Sequence, residues 1–226
     1  MTSAATLKRL AKLQQKKYRE AERLFLAEGE TLVREAPSTP RNLLTDPGDV
    51  KRLSTLTSPT GPVAVFSFLD VPAAELLERR DRIVLLHGVQ DPGNVGTIIR
   101  AAHAFGAGVA LSAGTADLYN PKTVRATMGS IFHAPISREV RPLAFLEEAK
   151  ASRFTTSAAI PHGGEDPRSV PGGRLVIVVG AEGAGLPEEV VSACAETISI
   201  PALAASLNAA VAASILLYEA YNRVLP

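Results

Sequence analysis

The sequence predicts an α/β protein built on a doubly wound parallel sheet, and three observations carry that reading. From residue 82 onward, short β-type runs alternate with helical segments at the spacing of βαβ units. Two of the runs, Ile83 to Leu86 in RIVLLHG and Leu175 to Val179 in RLVIVVG, are apolar without alternation, as strands covered on both faces are. The turns that follow them, VQDPGNVG and GAEGAG, concentrate the residue types that stop a strand and open a helix. With 226 residues, 46% of them hydrophobic, the chain has material for one large domain or two small ones.

The elements follow in order. Residues 5–23 read as a basic helix with Leu7, Leu10 and Leu13 near one face. A short strand spans Phe25 to Gly29, and a helix from Glu30 to Ala36 is stopped by Pro37. Turns at Ser38-Thr39-Pro40 and Asp46-Pro47-Gly48 flank a strand from Asn42 to Thr45, and SPTGP leads into a strand from Val63 to Phe68. These residues, 1–70, make a small α/β unit; VPAAELLERRDR is a charged helical connector, and a larger unit covers residues 80–226. There RIVLLHG is a buried strand, VQDPGNVGT caps a helix from Val95 to Ala104, GVALSAG is a strand, and Pro121 opens a helix in PKTVRATMGS. HAPISREV and RFTTSAAI flank a helix from Leu143 to Ala151. After RLVIVVG comes a helix in LPEEVVSACA with acids in its first turn, then a short strand in ETISIP. SLNAAVAASILLYEAYNRV closes the chain as a long helix.

Composition excludes several classes. A formal net charge of +1 does not by itself announce a nucleic-acid binder. One cysteine, Cys194, rules out a disulfide framework and suits a reducing cytosol, so a cytoplasmic location is expected. The N-terminus is too polar for a secretory signal, and no window reaches 18 uninterrupted apolar residues. His87, His103, His133 and His162 lack the paired spacing of a metal site, so no metal is expected. Charge is nevertheless uneven. Within residues 1–23, Lys8, Arg9, Lys12, Lys16, Lys17, Arg19 and Arg23 oppose only Glu20 and Glu22, a local +5 that leaves −4 for the rest. This is either a phosphate-binding arm or a solvated helix face.

Three segments carry candidate chemistry. In VVGAEGAGLPEEV, a strand ends in Gly180-Ala181-Glu182-Gly183-Ala184-Gly185 and a helix follows. A phosphate-binding P-loop would need a lysine, and a dinucleotide fingerprint would need G-x-G-x-x-G; the loop has neither. Glu182 would repel a pyrophosphate, so the loop suits a neutral or cationic ligand such as a nucleoside or a sulfonium, or is simply a tight turn. In LHGVQDPGNVGTIIRAAHAFG, a strand delivers Asp91 to Asn94 to the mouth of the sheet, where open α/β folds bind ligands. Arg100 is the only charge among Ile98, Ile99, Ala101 and Ala102, which points it at a cleft or an interface unless it is an ordinary surface arginine. In ISIPALAASLNAAVAAS, Ser206 and Asn208 precede an apolar helix; capping accounts for Ser206 more readily than for Asn208.

Together these segments resemble the SpoU/TrmH family of RNA ribose methyltransferases, in the SPOUT superfamily. That family shows, in this order, N-x-x-x-x-x-R, G-A-E-G-x-G and I-P-…-S-L-N-x-x-x-A segments, matched here by Asn94 to Arg100, Gly180 to Gly185 and Ile200 to Ala212. LYNPKTVRATMGSIFHAPI, Leu118 to Ile136, is similar to the family's intervening stretch, and RLFLAEGETLVREA to its small L30e-like substrate-binding domain. The resemblance implies a C-terminal methyltransferase domain with a trefoil knot, an exception to the unknotted rule. It implies an obligate homodimer, S-adenosylmethionine as methyl donor, and the ribose 2'-hydroxyl of ribosomal or transfer RNA as acceptor, ribosomal RNA being favoured. Cofactor contacts then fall on Gly180, Ile200 and Leu207, with Glu182 and Gly183 in the same loop, Glu182 ordering it. The family's proposal makes Arg100 the base; a guanidinium is essentially always protonated, so the alternative is an electrostatic clamp on the phosphate and the forming alkoxide. Asn94 would fix the phosphate or the loop, while Ser206 and Asn208 would orient Arg100 or the ribose. Lys122, Arg125 and Arg138 would join the basic arm in a phosphate track. One departure stands out: four residues separate Pro201 from Ser206, where the family more often has about six, in the segment that wraps the cofactor. Rival readings are a non-catalytic RNA-binding or ribosome-assembly factor on the same fold, and a nucleotide-dependent oxidoreductase, whose fingerprint is missing.

Overall fold

A computed structural model describes residues 2–59, 61–170 and 173–223; Thr60 in the predicted SPTGP turn and Val224 at the end of the predicted last helix lie outside them. The first segment is not one basic helix. It folds as α1 (Ala4–Ala11), a 3-10 turn (Lys12–Gln14) and α2 (Lys16–Glu22), with Gln15 extended between the last two. The break is stabilised by Arg19, whose guanidinium donates to the carbonyls of Leu13 and Gln14, both at 2.8 Å, which the interrupted helix leaves without partners. The leucine stripe holds: Leu7, Leu10 and Leu13 are buried.

Strands β1 (Leu24–Glu28), β2 (Asn42–Leu44) and β3 (Val63–Ser67) form an antiparallel sheet in the order β1-β3-β2. Helix α3 (Glu30–Glu35) follows β1. Residues Pro47–Leu53, of which the sequence reading took the start for a turn, form helix α4, opened by Pro47 and capped by Asp46, which accepts from Gly48 and Asp49 N–H. Val50 and Leu53 of α4 join the leucine stripe against Leu24, Leu26, Val63 and Val65 on one face of this sheet.

After α5 (Ala73–Arg79) the chain enters a six-stranded sheet of β4 (Arg82–His87), β5 (Gly108–Ser112), β6 (Ile136–Val140), β7 (Thr155–Ala159), β8 (Leu175–Gly180) and β9 (Glu196–Ile198). Its order is β6-β5-β4-β8-β7-β9, and every described pairing is parallel, as the sequence predicts. HAPISREV and RFTTSAAI supply β6 and β7. Strands β4 and β8, the two unalternating runs, lie side by side at the centre, where the winding reverses. Helices α6 (Pro92–Ala104), α7 (Pro121–Ala126) and α10 (Ala209–Asn222) contribute to the hydrophobic cluster on one face, while α5, α8 (Pro142–Ala151) and α9 (Glu188–Ser192) contribute to that on the other.

The first cluster runs without interruption into the small sheet. Phe25 and Phe66 pack on Tyr119 and Phe132, with ring centroids 4.8 Å apart for Phe25–Tyr119 and 4.9 Å for Phe66–Phe132. At the same seam Gly129, at φ +96°, lies so near α3 that a Cβ there would stand 2.6 Å from the Cβ of Glu35. The two sheets are thus held by apolar contact over a shared core.

Candidate active site

The C-terminal ends of β7 and β8 open onto a cavity of about 470 Å3. It is bounded by the Gly180–Leu186 loop, by Ile160 and Pro161 after β7, by Ile200, and by Ser206, Leu207 and Asn208 at the start of α10. Two chain-distant motifs therefore share one cavity. The loop closes on itself through Gly185 N–H to Ala181 C=O at 2.9 Å, with Gly183 at φ +81° and Gly185 at φ +68°. Gly180 needs its missing side chain for another reason: a Cβ there would stand 2.4 Å from the carbonyl carbon and oxygen of Gly185. Among the described residues the cavity lining carries one carboxylate, Glu182, and no lysine, arginine or histidine. A pyrophosphate would find no cation there, whereas a nucleoside bearing a positive sulfonium fits the donor set.

The third segment enters through Asn94. Asp91 caps α6 by accepting from Asn94 N–H at 3.0 Å. That hydrogen bond, with help from Lys122, holds the Asp91 carboxyl below its ordinary range. The Asn94 carboxamide donates to Glu182 and accepts from Asn208 Nδ2 at 3.1 Å. Asn208 in turn caps α10, its Oδ1 accepting from Ala210 and Val211 N–H at 2.9 and 3.2 Å. Loop, α6 and α10 are thereby linked through three side chains. The capping expectation is reversed: Asn208, not Ser206, is the cap, and Ser206 sits exposed on the cavity wall.

Arg100 does not line this cavity in its own chain. It lies six residues after Asn94, about 9 Å along α6 and about 240° around it, on the exposed stripe with Thr97 and Ala104. Exposed Val211 and Tyr218 lie on the neighbouring helix α10, Tyr218 against Phe105 at 5.7 Å. The segment from Pro201 to Ser206 is exposed throughout, Leu203 fully so.

The expected phosphate track needs correction. Arg19 is buried and paired with Asp117, so it is a structural cation. Arg125 is tied to Glu28 at 3.2 Å and Thr55 at 2.8 Å, across the seam between the sheets. Arg138 is partly buried between Glu20 at 2.9 Å and Asp70 at 3.2 Å and lies over the Phe68 and Tyr119 rings. Three of the expected phosphate ligands are thus spent on folding. Lys8, Lys12, Lys16, Lys17 and Arg9 remain at the surface, Arg9 paired with Glu22 and Lys16 near Glu139 at 3.7 Å, and Lys122 is exposed beside Asp91. Among the described residues there is no group of three or more histidine, cysteine or acidic side chains placed to hold a metal, and no helix long and apolar enough to cross a membrane. The sequence reading missed Ile160 and Pro161; their place just after the strand beside RLVIVVG was the available signal.

Comparison with known proteins identifies the family. Residues 81–218 match the family model described as the SpoU rRNA Methylase family, and residues 4–61 match an MRM3-like substrate binding domain. The chain is 34% identical over 231 residues to the 23S rRNA (guanosine(2553)-2'-O)-methyltransferase RlmP of Bacillus subtilis (strain 168), covering 92% of each. It is 35% identical over 179 residues to the 23S rRNA (uridine(2479)-2'-O)-methyltransferase of Streptomyces viridochromogenes, covering 72% of this chain and 61% of that one. Among solved structures, an AdoMet-bound rRNA methyltransferase from Sinorhizobium meliloti superimposes with a TM-score of 0.90 at 31% identity, over 100% of this chain and 98% of that one. The SpoU methyltransferase AviRb from Streptomyces viridochromogenes, in complex with AdoMet, gives 0.85 at 27% identity over 98% of both. With the family model matching residues 81–218 and a relative 34% identical over 92% of each chain, this chain belongs to the SpoU rRNA methylase family.

Proposed function

We propose that this protein is an S-adenosylmethionine-dependent methyltransferase that modifies a ribose 2'-hydroxyl of large-subunit ribosomal RNA in the cytoplasm. The observation that carries the reading is the convergence of the Gly180–Gly185 loop and the Ile200–Asn208 segment on one cation-free cavity, joined to Asn94 by the Glu182–Asn94–Asn208 chain. The relatives named for 23S rRNA 2'-O-methylation, and neighbours crystallised with AdoMet, point the same way. A single cysteine accords with a reducing compartment.

In this reading residues 1–70 form the RNA-binding domain, L30e-like as in the family, and residues 80–226 the methyltransferase domain, knotted through its C-terminal segment. Bound in the cavity, S-adenosylmethionine supplies an electrophilic methyl group. The chain's residues do the rest. Gly180, Gly183, Ile200 and Leu207 hold the nucleoside, largely through backbone groups, and Glu182 orders the loop through Asn94. Asn94 and Asn208 fix the geometry at the mouth, and Ser206 orients the ribose. Arg100 holds the neighbouring phosphate and stabilises the alkoxide as the 2'-hydroxyl proton leaves. Because Arg100 is exposed and does not line the cavity of its own chain, it serves the cavity of a second copy in a homodimer. Exposed Lys8, Arg9, Lys12, Lys16, Lys17 and Lys122 supply phosphate contacts.

The test is methylation of ribosomal RNA from a strain lacking the gene, with ribose methylation then mapped along the RNA. One new 2'-O-methyl nucleotide in the large-subunit RNA is expected. Binding of NAD rather than S-adenosylmethionine by calorimetry, or binding of RNA with no methyl transferred, would remove the reading.

A further inference from the structure

A second cavity lies outside the cofactor site. It has a volume of about 290 Å3 and is lined by Ser38, Thr39, Arg41, Phe66, Ser67 and Leu69. Its rim is the segment between α3 and β2, where Pro37 and Pro40 each fix a backbone φ and so stiffen the loop. Arg41 is anchored twice: its N–H donates to Val65 C=O at 2.8 Å, and its Nε donates to Ser67 Oγ at 2.6 Å. Among the described residues neither terminal nitrogen of this exposed guanidinium has a hydrogen-bond partner, and its stem is fixed. Ser38 and Thr39 are also exposed at the rim. Phe66 forms the floor, 3% exposed and held edge-on against Phe132. Among the described residues no carboxylate lines the cavity.

Each feature has a physical consequence. A guanidinium with its fork free and its Nε already satisfied recognises a phosphate. Hydroxyls beside it suit a sugar or a base edge, and an apolar floor suits the face of a base. The volume is near the lower end of ligand cavities, about 300–1,000 Å3, so it takes one nucleotide rather than a folded motif. Since Phe66 belongs to the core that joins the two sheets, anything seated here is held at a fixed position relative to the methyl-transfer cavity.

We propose that this cavity is a subsite for one nucleotide of the RNA strand outside the methylated residue, with the phosphate on Arg41 and the sugar or base edge on Ser38 and Thr39. The proposal rests on the rRNA methyltransferase reading and adds to it a named determinant of RNA affinity in the small sheet.

The experiment uses the full chain, unmodified ribosomal RNA as probe, and the variants Arg41→Ala, Arg41→Lys and Ser38→Ala/Thr39→Ala. All three positions are exposed, so thermal unfolding should be unchanged. Arg41→Ala is expected to raise Kd and KM for RNA about tenfold, with kcat and S-adenosylmethionine affinity kept, and to reduce the slope of log affinity against log salt by about one. Arg41→Lys should recover part of the affinity, because an ammonium keeps the charge but not the fork. The double hydroxyl variant should raise KM severalfold with no change in salt slope. An Arg41→Ala protein whose KM and salt slope match those of an active wild type overturns the subsite and leaves the methyltransferase reading standing. A wild type that neither binds nor methylates ribosomal RNA overturns both.

Discussion

Tyr119 heads the fully buried side chains by size, yet it carries a hydroxyl, and the surroundings account for it. The O–H donates to Asp70 Oδ1 at 2.7 Å and accepts from the N–H groups of Leu69 and Asp70 at 2.6 and 2.9 Å. Burial, and then Asp70, push its phenol far up, so it stays neutral and donating. Tyr119→Phe removes an acceptor from two backbone N–H groups and a donor from a carboxylate; it should cost about 1–3 kcal/mol in urea unfolding with an unchanged m-value. Asp70 adds a pH signature. Burial works against its ionised form, but the Tyr119 hydrogen bond and the charges of Arg138 and Arg23 outweigh it and hold its carboxyl below 3.8. A carboxyl depressed in the folded state stabilises fully above its ordinary value and loses that contribution as pH falls through the folded value. Acidification below about pH 4 should therefore destabilise the wild type more steeply than Asp70→Asn, whose stability at neutral pH should start lower; equal slopes in acid titrations followed by circular dichroism would exclude this role. Asn208 separates stability from activity at a single position. Asn208→Ala loses the α10 cap, about 1 kcal/mol, as well as the donor to Asn94. Asn208→Asp keeps a cap but presents a carboxylate to the Asn94 oxygen near Glu182, so melting should be nearly unchanged while methyl transfer falls.

At the scale of elements, close approach decides which substitutions are tolerated. Helix α6 crosses α7 at Gly96, where a Cβ would stand 2.4 Å from the Cβ of Ala126 and 2.8 Å from Thr123 C=O. Gly96→Ala should force the helices apart and cost about 1–3 kcal/mol despite the better helix propensity of alanine, a sign reversal that thermal unfolding reads directly. Gly180→Ala meets the Gly185 backbone instead. Because that clash is confined to the loop, cofactor affinity should fall well before stability does. These elements were legible in the sequence because their signals are local: unalternating apolar runs gave β4 and β8, and glycine spacing gave the loop between β8 and α9. What stayed hidden depends on distant residues. The break at Gln15 rests on Arg19, and Arg19 is buried because Asp117, 98 positions later, receives its charge. Arg125 and Arg138 look like phosphate ligands in isolation and become structural only when Glu28, Glu20 and Asp70 fold beside them. Helix α4 was masked because Asp-Pro-Gly opens a turn and a helix equally well, and only the burial of Val50 and Leu53 chooses between them.

For the whole molecule, the decisive question is whether Arg100 serves the cavity of its own chain or that of a second copy. The shared core makes the small and large sheets one packed unit, so an RNA held by the first is presented to the second without a flexible joint. That unit holds the cavity, the Glu182–Asn94–Asn208 chain and the basic surface, but it turns Arg100 outward on α6. If the site is completed across a homodimer, two inactive variants should rescue each other. Arg100→Ala keeps a working cavity but lacks the guanidinium; Gly180→Ala keeps the guanidinium but not the cavity. A mixed dimer then contains one site with both parts intact and one with neither. Mixed dimers are half of a statistical mixture and each has one competent site, so activity should return to about a quarter of wild type after subunit exchange, from near zero in either variant alone. Supply of Arg100 within the same chain predicts no recovery, since no site in any dimer would then hold both parts. Co-purification with two different affinity tags isolates the mixed dimer and raises the expected value to about half, which separates rescue across the interface from residual activity of either parent.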